Sequence, residues 1–308
     1  MKVALFGTPQ FAVPVLKAMV RDDETQVVAV VTQCDRPVGR KAVMTPPVIK
    51  TAALELDIPV LQIEKINREE SLQQLRSLNC DLFVTAAYGQ ILSQKLLDIP
   101  PMGVVNVHAS LLPAWRGASP IAFSILNGEE VTGVTTMFTD AGLDTGDIIL
   151  QKTIRIEDTD TTQTLAEKLA GLGAETLIET LHLIARGKAP RIPQDEAYAT
   201  KSQILSKQHG KMDLERTFRE LDCQVRAMTP WPGTWTKLDG KTLKIFGIRR
   251  VEGKGQAGTV IDDNFTIACG DGAFRPVEVQ LEGSKRMPVD VFLRGRKIEK
   301  GTVLGDEQ

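Results

Sequence analysis

The chain has little of what would make a disulfide-stapled, membrane-embedded or metal-centred protein. Its 308 residues hold four cysteines, Cys34, Cys80, Cys223 and Cys269. None forms a C-x-x-C pair for zinc or thiol exchange, and this usage suits a reducing compartment. Three histidines, His108, His182 and His209, and the lack of H-E-x-x-H leave no histidine-rich metal site, so no metal is expected. Aromatics make up only 5%, so Val, Ile, Leu and Ala must fill the core. No apolar run reaches the roughly 18–20 residues of a membrane span. Met1 leads directly into Lys2-Val3-Ala4-Leu5-Phe6, which reads as a strand rather than an export signal, so a cytoplasmic protein with no membrane partner is expected. The first strand ends in Phe6-Gly7-Thr8-Pro9, without G-x-G-x-x-G or G-x-x-x-x-G-K, and G-x-S-x-G is absent. Hydride transfer, NTP hydrolysis and nucleophile-elbow hydrolysis therefore recede.

What is present is an ordinary globular composition, 42% hydrophobic and 25% charged, on a chain about twice the common domain size, so two domains are expected. In the first 150 residues, short β-branched runs alternate with amphipathic stretches, the pattern of βαβ units and a mostly parallel, Rossmann-like sheet. Strands are expected at 2–6, 27–32, 58–61, 81–86, 103–108 and 133–139. Helices are expected at 10–20, 47–57, 68–78, 92–97 and 118–127. A long helix over 161–186, stopped by Gly187, closes this first domain of residues 1–189. Residues 190–207, with Pro190 and Pro193 just at their start, read as a linker. Residues 208–308 carry a helix at 213–228, then strands at 234–238, 242–250, 257–261, 265–269 and 274–281 separated by Asp/Gly/Asn turns. That is a small antiparallel β-barrel of the OB-like kind. Net charge is −2, but residues 1–200 carry 18 Lys/Arg against 24 Asp/Glu, whereas residues 201–308 carry 19 against 15. The basic excess at the C-terminal end fits either a polyanion partner or a solvated surface.

The densest stretch is Val104-Val105-Asn106-Val107-His108-Ala109-Ser110-Leu111-Leu112-Pro113-Ala114-Trp115-Arg116-Gly117-Ala118-Ser119-Pro120. Asn106 and His108 are two apart at a strand end, so both side chains leave one face of the sheet. An amide donor beside a histidine can hold a developing oxyanion and exchange a proton, the requirements of acyl-type transfer. The same pair also fits residues that merely satisfy buried backbone groups. A second cluster, Asp140-Ala141-Gly142-Leu143-Asp144-Thr145-Gly146-Asp147, reads as a tight loop in which one Asp could orient His108. Turn formation alone explains it equally, and it lacks the spacing of an EF-hand.

Together these two stretches resemble the folate-dependent formyltransferases, through N-x-H-x-S-L-L-P-x-x-R-G-x-x-P and D-x-G-x-D-T-G-D in matching order and spacing. The likeness extends through Phe6–Ala12, Gln33–Arg40 and Ala87-Tyr88-Gly89. In the second domain it includes Pro230-Trp231-Pro232-Gly233, Gly270-Asp271-Gly272 and Phe292-Leu293-Arg294-Gly295. It implies 10-formyltetrahydrofolate as donor and, in the branch of the family most similar to this chain, the methionine amino group on initiator tRNA as acceptor. An amino-sugar nucleotide or another small amine is the alternative acceptor. By the same resemblance Asn106, His108 and Asp144 are the catalytic trio. Ser110, Leu111, Leu112 and Pro113 contact the folate, while Tyr88, Gly89, Ile91, Leu92 and Asp140 flank its pterin. Arg36, Arg40 and Lys41 lie on a basic loop beside the tRNA, where Ala42-Val43-Met44 replaces the more usual lysine and glycine. A monomer is expected. Trp231 and Trp235 could stack on bases, but core or interface packing is the favoured reading.

Overall fold

The computed structural model of the protein describes residues 1–39 and 42–305. The chain divides into two compact units. The first comprises Met1–Pro120, Val131–Arg155 and Ala166–Ser202; the second comprises Ile121–Glu130, Ile156–Leu165 and the chain from Gln203 onward.

The first unit alternates strand and helix as expected: β1 (Lys2–Gly7), α1 (Ala12–Arg21), β2 (Gln26–Thr32), β3 (Arg36–Val38), β4 (Val43–Thr45), α2 (Val48–Leu54), β5 (Val60–Gln62), α3 (Glu69–Ser77), β6 (Leu82–Ala86), α4 (Gln94–Leu97), β7 (Val104–His108) and β8 (Arg116–Gly117). After α5 (Pro120–Leu126) come β9 (Val131–Phe138), β10 (Ile148–Arg155), α6 (Thr162–Ala185) and β11 (Lys201–Ser202). Seven strands form one sheet in the order β10-β9-β7-β6-β1-β2-β5. The five from β7 to β5 are parallel, while β9 runs antiparallel to β7 and β10 antiparallel to β9. Strand order reverses between β1 and β6, which is where an open α/β sheet opens its ligand crevice. Fully buried Phe6, Phe83 and Leu72 anchor the core on one face of this sheet. Gly187 stops α6 as expected: its φ is +63°, its N–H reaches the Ile184 carbonyl at 2.9 Å, and that of Lys188 reaches Leu183 at 2.8 Å.

The second unit continues with α7 (Phe218–Ala227), β12 (Thr234–Leu238), β13 (Lys241–Val251), β14 (Ile267–Cys269), β15 (Gly272–Leu281), β16 (Met287–Pro288) and α8 (Val289–Gly295). The last five strands form an antiparallel sheet around a core that includes fully buried Leu243, Phe265 and Phe274. Four expectations shift. Helix α7 starts at Phe218 rather than 213, because the Thr217 hydroxyl accepts from the Glu220 N–H while the Glu220 carboxylate accepts from the Thr217 N–H, a capping box that sets the first turn. The strand expected at 257–261 is reduced to isolated bridges at Thr259 and Val260 beside Gly258, whose φ is +82°. Strand β10 and helix α8 escaped the sequence reading, since both depend on non-local packing. The core reading of Trp231 fails, as its side chain is 54% exposed, whereas Trp235 is half-buried and donates its indole N–H to the Lys207 carbonyl.

Candidate active site

Strand β7 places Asn106 and His108 on one face, as the alternation of a strand requires. The Thr85 hydroxyl on neighbouring β6 lies 2.8 Å from Asn106 Oδ1 and can donate to it. That contact assigns the carbonyl end of the carboxamide, so Nδ2 faces the other way and donates toward Asp144 Oδ1 at 3.3 Å. His108 is buried, and its Nε2 lies 3.1 Å from the Trp115 carbonyl. A carbonyl only accepts, so the proton of the neutral ring sits on Nε2 and the lone pair on Nδ1. Nδ1 in turn lies 3.7 Å from Asp144 Oδ1, too long for a direct hydrogen bond but close enough to stabilise a charged imidazolium. The trio therefore converges, with Asp144 Oδ1 facing both partners.

Asp144 gets there through a turn that L-residues disfavour. Its φ is +54°, and its second carboxylate oxygen accepts from the Gly117 N–H at 2.8 Å. Two glycines of the signatures have a steric reason. A Cβ at Gly146 would lie 1.7 Å from the Phe138 carbonyl oxygen. At Gly117, φ +110°, it would lie 2.6 Å from that of Ser202. Asp140 does not join the trio; its exposed carboxylate accepts from the Thr145 hydroxyl at 2.7 Å and the Gly142 N–H at 3.0 Å, closing its own turn.

The run expected to contact the folate is held from behind. The Thr135 hydroxyl donates to the Ser110 carbonyl at 2.7 Å and accepts from the Leu112 N–H at 3.0 Å, and Gln151 donates to the Leu112 carbonyl at 2.8 Å. Ser110 and Leu112 turn inward, and the Ser110 hydroxyl is occupied by the Ala114 carbonyl at 2.6 Å. Leu111 and Pro113 remain half-buried. At the crevice between β1 and β6, Thr8 and Gln33 both donate to the Tyr88 carbonyl, at 3.0 and 2.9 Å. The Tyr88 ring is buried, and burial pushes its phenol well above the ordinary value, so it stays neutral. Gly89 is exposed and adopts φ +85°; Ile91 is 78% exposed, and Leu92 is buried.

The loop after β2 is a hairpin, with Arg36 paired to Thr45 and Val38 to Val43. Arg36, Val43 and Met44 are exposed, while Arg40 and Lys41 lie outside the described residues. The hairpin's base is tied by Asp35, whose carboxylate accepts from Gln62 at 2.6 Å and from Lys50 at 3.0 Å. The Gln62 and Lys50 hydrogen bonds hold that carboxyl below the usual carboxylate range.

Three further residues were not singled out in the sequence. Thr85 orients Asn106, while Arg116 and Gln194 stand behind the Asp144 loop. Arg116 sat within the signature without an assigned role, and Gln194 lay in the polar segment that read as a linker. A cavity of about 570 Å³, lined by Leu97, Met102, Phe138, Ile184 and Arg191 among others, lies at the opposite end of β7 and holds none of the trio. Among the described residues no cluster of His, Cys, Asp or Glu is arranged to hold a metal ion, and no helix is long and apolar enough to cross a membrane.

Comparison with known proteins places these residues in context. Residues 1–181 match the family described as Formyl transferase, and residues 204–297 match its C-terminal domain. The chain is 47% identical over 308 residues to the methionyl-tRNA formyltransferase of Geotalea daltonii, covering 99% of this chain and 98% of that one. It is 45% identical to that of Geobacter sulfurreducens, covering 99% and 97%. Among solved structures, the N-formyltransferase of Helicobacter canadensis in complex with folinic acid and dTDP-3-aminofucose superposes with a TM-score of 0.66 at 20% identity, over 93% of this chain and 100% of that one. HypX of Aquifex aeolicus in complex with tetrahydrofolic acid gives 0.63 at 17%, over 98% of this chain and 50% of that one. At such identities the structural likeness concerns the fold alone.

Proposed function

The chain belongs to the methionyl-tRNA formyltransferase family, and from that premise we propose that Asn106, His108 and Asp144 carry the reaction. The enzyme transfers the formyl group of 10-formyltetrahydrofolate to the amino group of methionine on initiator tRNA. Attack by the amine nitrogen on the formyl carbon forms a C–N bond and leaves negative charge on the formyl oxygen. The Asn106 Nδ2 donor and a His108 that has taken a proton at Nδ1 stabilise that charge by charge-assisted hydrogen bonding. Asp144 stabilises the imidazolium and receives the proton released by the amine; His108 Nδ1 gives its proton to N10 of the folate as the bond to the formyl carbon breaks, and the proton on Asp144 then passes to Nδ1, restoring both groups. Net, a formyl group and a hydrogen change places between the two nitrogens, with no redox step and no metal.

The observation that supports these roles most directly is the single carboxylate oxygen, Asp144 Oδ1, set 3.3 Å from the Asn106 amide and 3.7 Å from His108 Nδ1. The folate is proposed to lie against Leu111, Pro113 and the 88–92 segment, with the backbone of Ser110 and Leu112 held for it by Thr135 and Gln151. Arg36 on the hairpin, the sequence neighbours Arg40 and Lys41, and the basic second unit are proposed to engage tRNA phosphates, a contribution that weakens as salt rises. Monomeric, cytoplasmic action completes the reading.

The test is formyl transfer from 10-formyltetrahydrofolate to charged initiator tRNA, run beside charged elongator tRNA, free methionine and a 4-amino-4-deoxy-sugar nucleotide. Fast transfer to the initiator alone is expected. Folate turnover with transfer only to the sugar nucleotide would keep the trio and overturn the acceptor.

A further inference from the structure

We propose that Gln194, from the segment that read as a linker, is a positioning residue for Asp144, and that Arg116 fixes the orientation of its amide. The inference rests on the roles assigned above to Asn106, His108 and Asp144.

The Asp144 carboxylate meets its partners only because the loop holds a left-handed turn at that residue, a conformation a non-glycine residue keeps only when its surroundings impose it. Two anchors do so. From one side, the Gly117 N–H binds the side chain, at Oδ2. From the other, Gln194 Nε2 donates to two main-chain carbonyls of the loop, Asp144 at 2.8 Å and Gly146 at 2.9 Å. Both hydrogens of one amide nitrogen are thus engaged with the turn.

What keeps that nitrogen facing the loop is Arg116. Its Nε donates to Gln194 Oε1 at 2.9 Å, so the carbonyl end of the amide must face the guanidinium. The guanidinium is itself buried and held on its far side by Glu196, through Nη1 at 3.0 Å and Nη2 at 2.8 Å. That pairing keeps the Glu196 carboxyl below its ordinary range. Arg116 and Gly117 are adjacent in β8, so one dipeptide holds Asp144 twice: by its backbone N–H directly, and by its arginine through Gln194. Residue 194 has to donate two hydrogen bonds and accept one. An amide does this; a carboxylate cannot donate, an ammonium cannot accept, and an apolar side chain can do neither.

A side chain that merely pinned residues 190–202 to the domain would show the same distances, so the test separates the two roles. Full-length enzyme is compared with Gln194→Met, of similar shape but with neither donor nor strong acceptor, and with Gln194→Glu, each made also in an Asp144→Asn background. With saturating charged initiator tRNA and 10-formyltetrahydrofolate, both single variants should lose about 10- to 100-fold in kcat, the scale for removing the hydrogen-bond partner behind a functional group. KM for the tRNA should change less than about twofold, and the pH profile of kcat should shift. In the Asp144→Asn background the same substitutions should cost less than about twofold, because the group they position is already gone. Glu196→Gln, at a largely exposed residue, is the milder variant should Gln194→Met fail to fold; a several-fold loss that vanishes in the Asp144→Asn background is expected. Parental kcat in Gln194→Met, or the same loss in both backgrounds, would overturn the inference. Parental kcat in Asp144→Asn alone would instead overturn the assignment of the trio.

Discussion

The two units use their buried polar side chains differently. In the first, Thr85, His108 and Arg116 lie near strand ends and Thr135 within β9, and their partners cluster together: Asn106, Asp144, Ser110, Gln194. In the second, Thr234 donates to the Ile245 carbonyl, Gln224 to those of His209 and Lys211, and Thr266 closes a turn with Asp262 and Arg275. The second pattern satisfies backbone groups that burial would otherwise leave unpaired. The first adds to such backbone bonds a run of side-chain-to-side-chain contacts, Thr85 to Asn106, Asn106 to Asp144 and Arg116 to Gln194, gathered around the Asp144 loop. That contrast distinguishes a unit built around chemistry from one built to fold and present a surface.

Substitutions can break the contrast. The largest effect is expected from Asn106→Ala, which removes an oxyanion donor and should lower kcat about 100- to 1,000-fold without a matching loss of thermal stability. Single-turnover formyl transfer together with a melting curve checks both halves; retained transfer would end the assignment. Phe274→Ala in the second unit should do the reverse. The ring is fully buried, and its removal should destabilise by about 3–5 kcal/mol, seen in denaturant unfolding, with kcat near parental under conditions where the protein remains folded. A large drop in kcat without loss of stability would place chemistry in the second unit.

A smaller effect tests the hairpin. Arg36→Ala should raise KM for charged tRNA more than for the folate and flatten the salt dependence of tRNA binding by about one phosphate contact, with Arg40→Ala behaving alike. Equal slopes in variant and parent would remove the residue from the interface. The smallest concerns acid stability. Burial pushes the Asp22 carboxyl upward, but hydrogen bonds from the Thr25 hydroxyl at 2.6 Å and His182 Nε2 at 2.8 Å outweigh it, leaving the group below its unfolded value of 3.8. A depressed carboxyl stabilises the fold above that value, and the contribution is lost as pH falls through the folded one. Asp22→Asn should therefore cost under about 1 kcal/mol at neutral pH and flatten the fall in stability below about pH 4, measured by urea titration across pH.

Much of the site could be read before the fold was known. Asn106 and His108 share a face by the period of a strand, and the Asp144 loop follows a strand whose apolar run is plain in the sequence. Thr85 could not be found that way, because its role depends on parallel pairing of β6 with β7, which places Thr85 opposite Asn106. Gln194 was harder still, lying fifty residues from Asp144 in a stretch whose prolines and polarity signal only irregular backbone. Asp140, expected beside the pterin, shows what the motif alone leaves open: its carboxylate closes the loop's own turn. Trp231 likewise could not be judged from its apolar ring, since exposure is a property of what surrounds a side chain.

By itself the sequence determined what depends on local period and residue chemistry: an alternating α/β half, a strand-rich basic half, the stop of the long helix at Gly187, and the shared face of Asn106 and His108. Only the tertiary structure decided what depends on contacts between distant segments. These are the reversal of strand order that opens the crevice, the tautomer that the Trp115 carbonyl imposes on His108, the left-handed turn at Asp144, and the return of residues 190–202 to brace it. The division has a physical cause. Backbone periodicity and side-chain type act over a few residues, whereas the direction of a hydrogen bond inside a site is set by whichever groups the folded chain brings within about 3 Å.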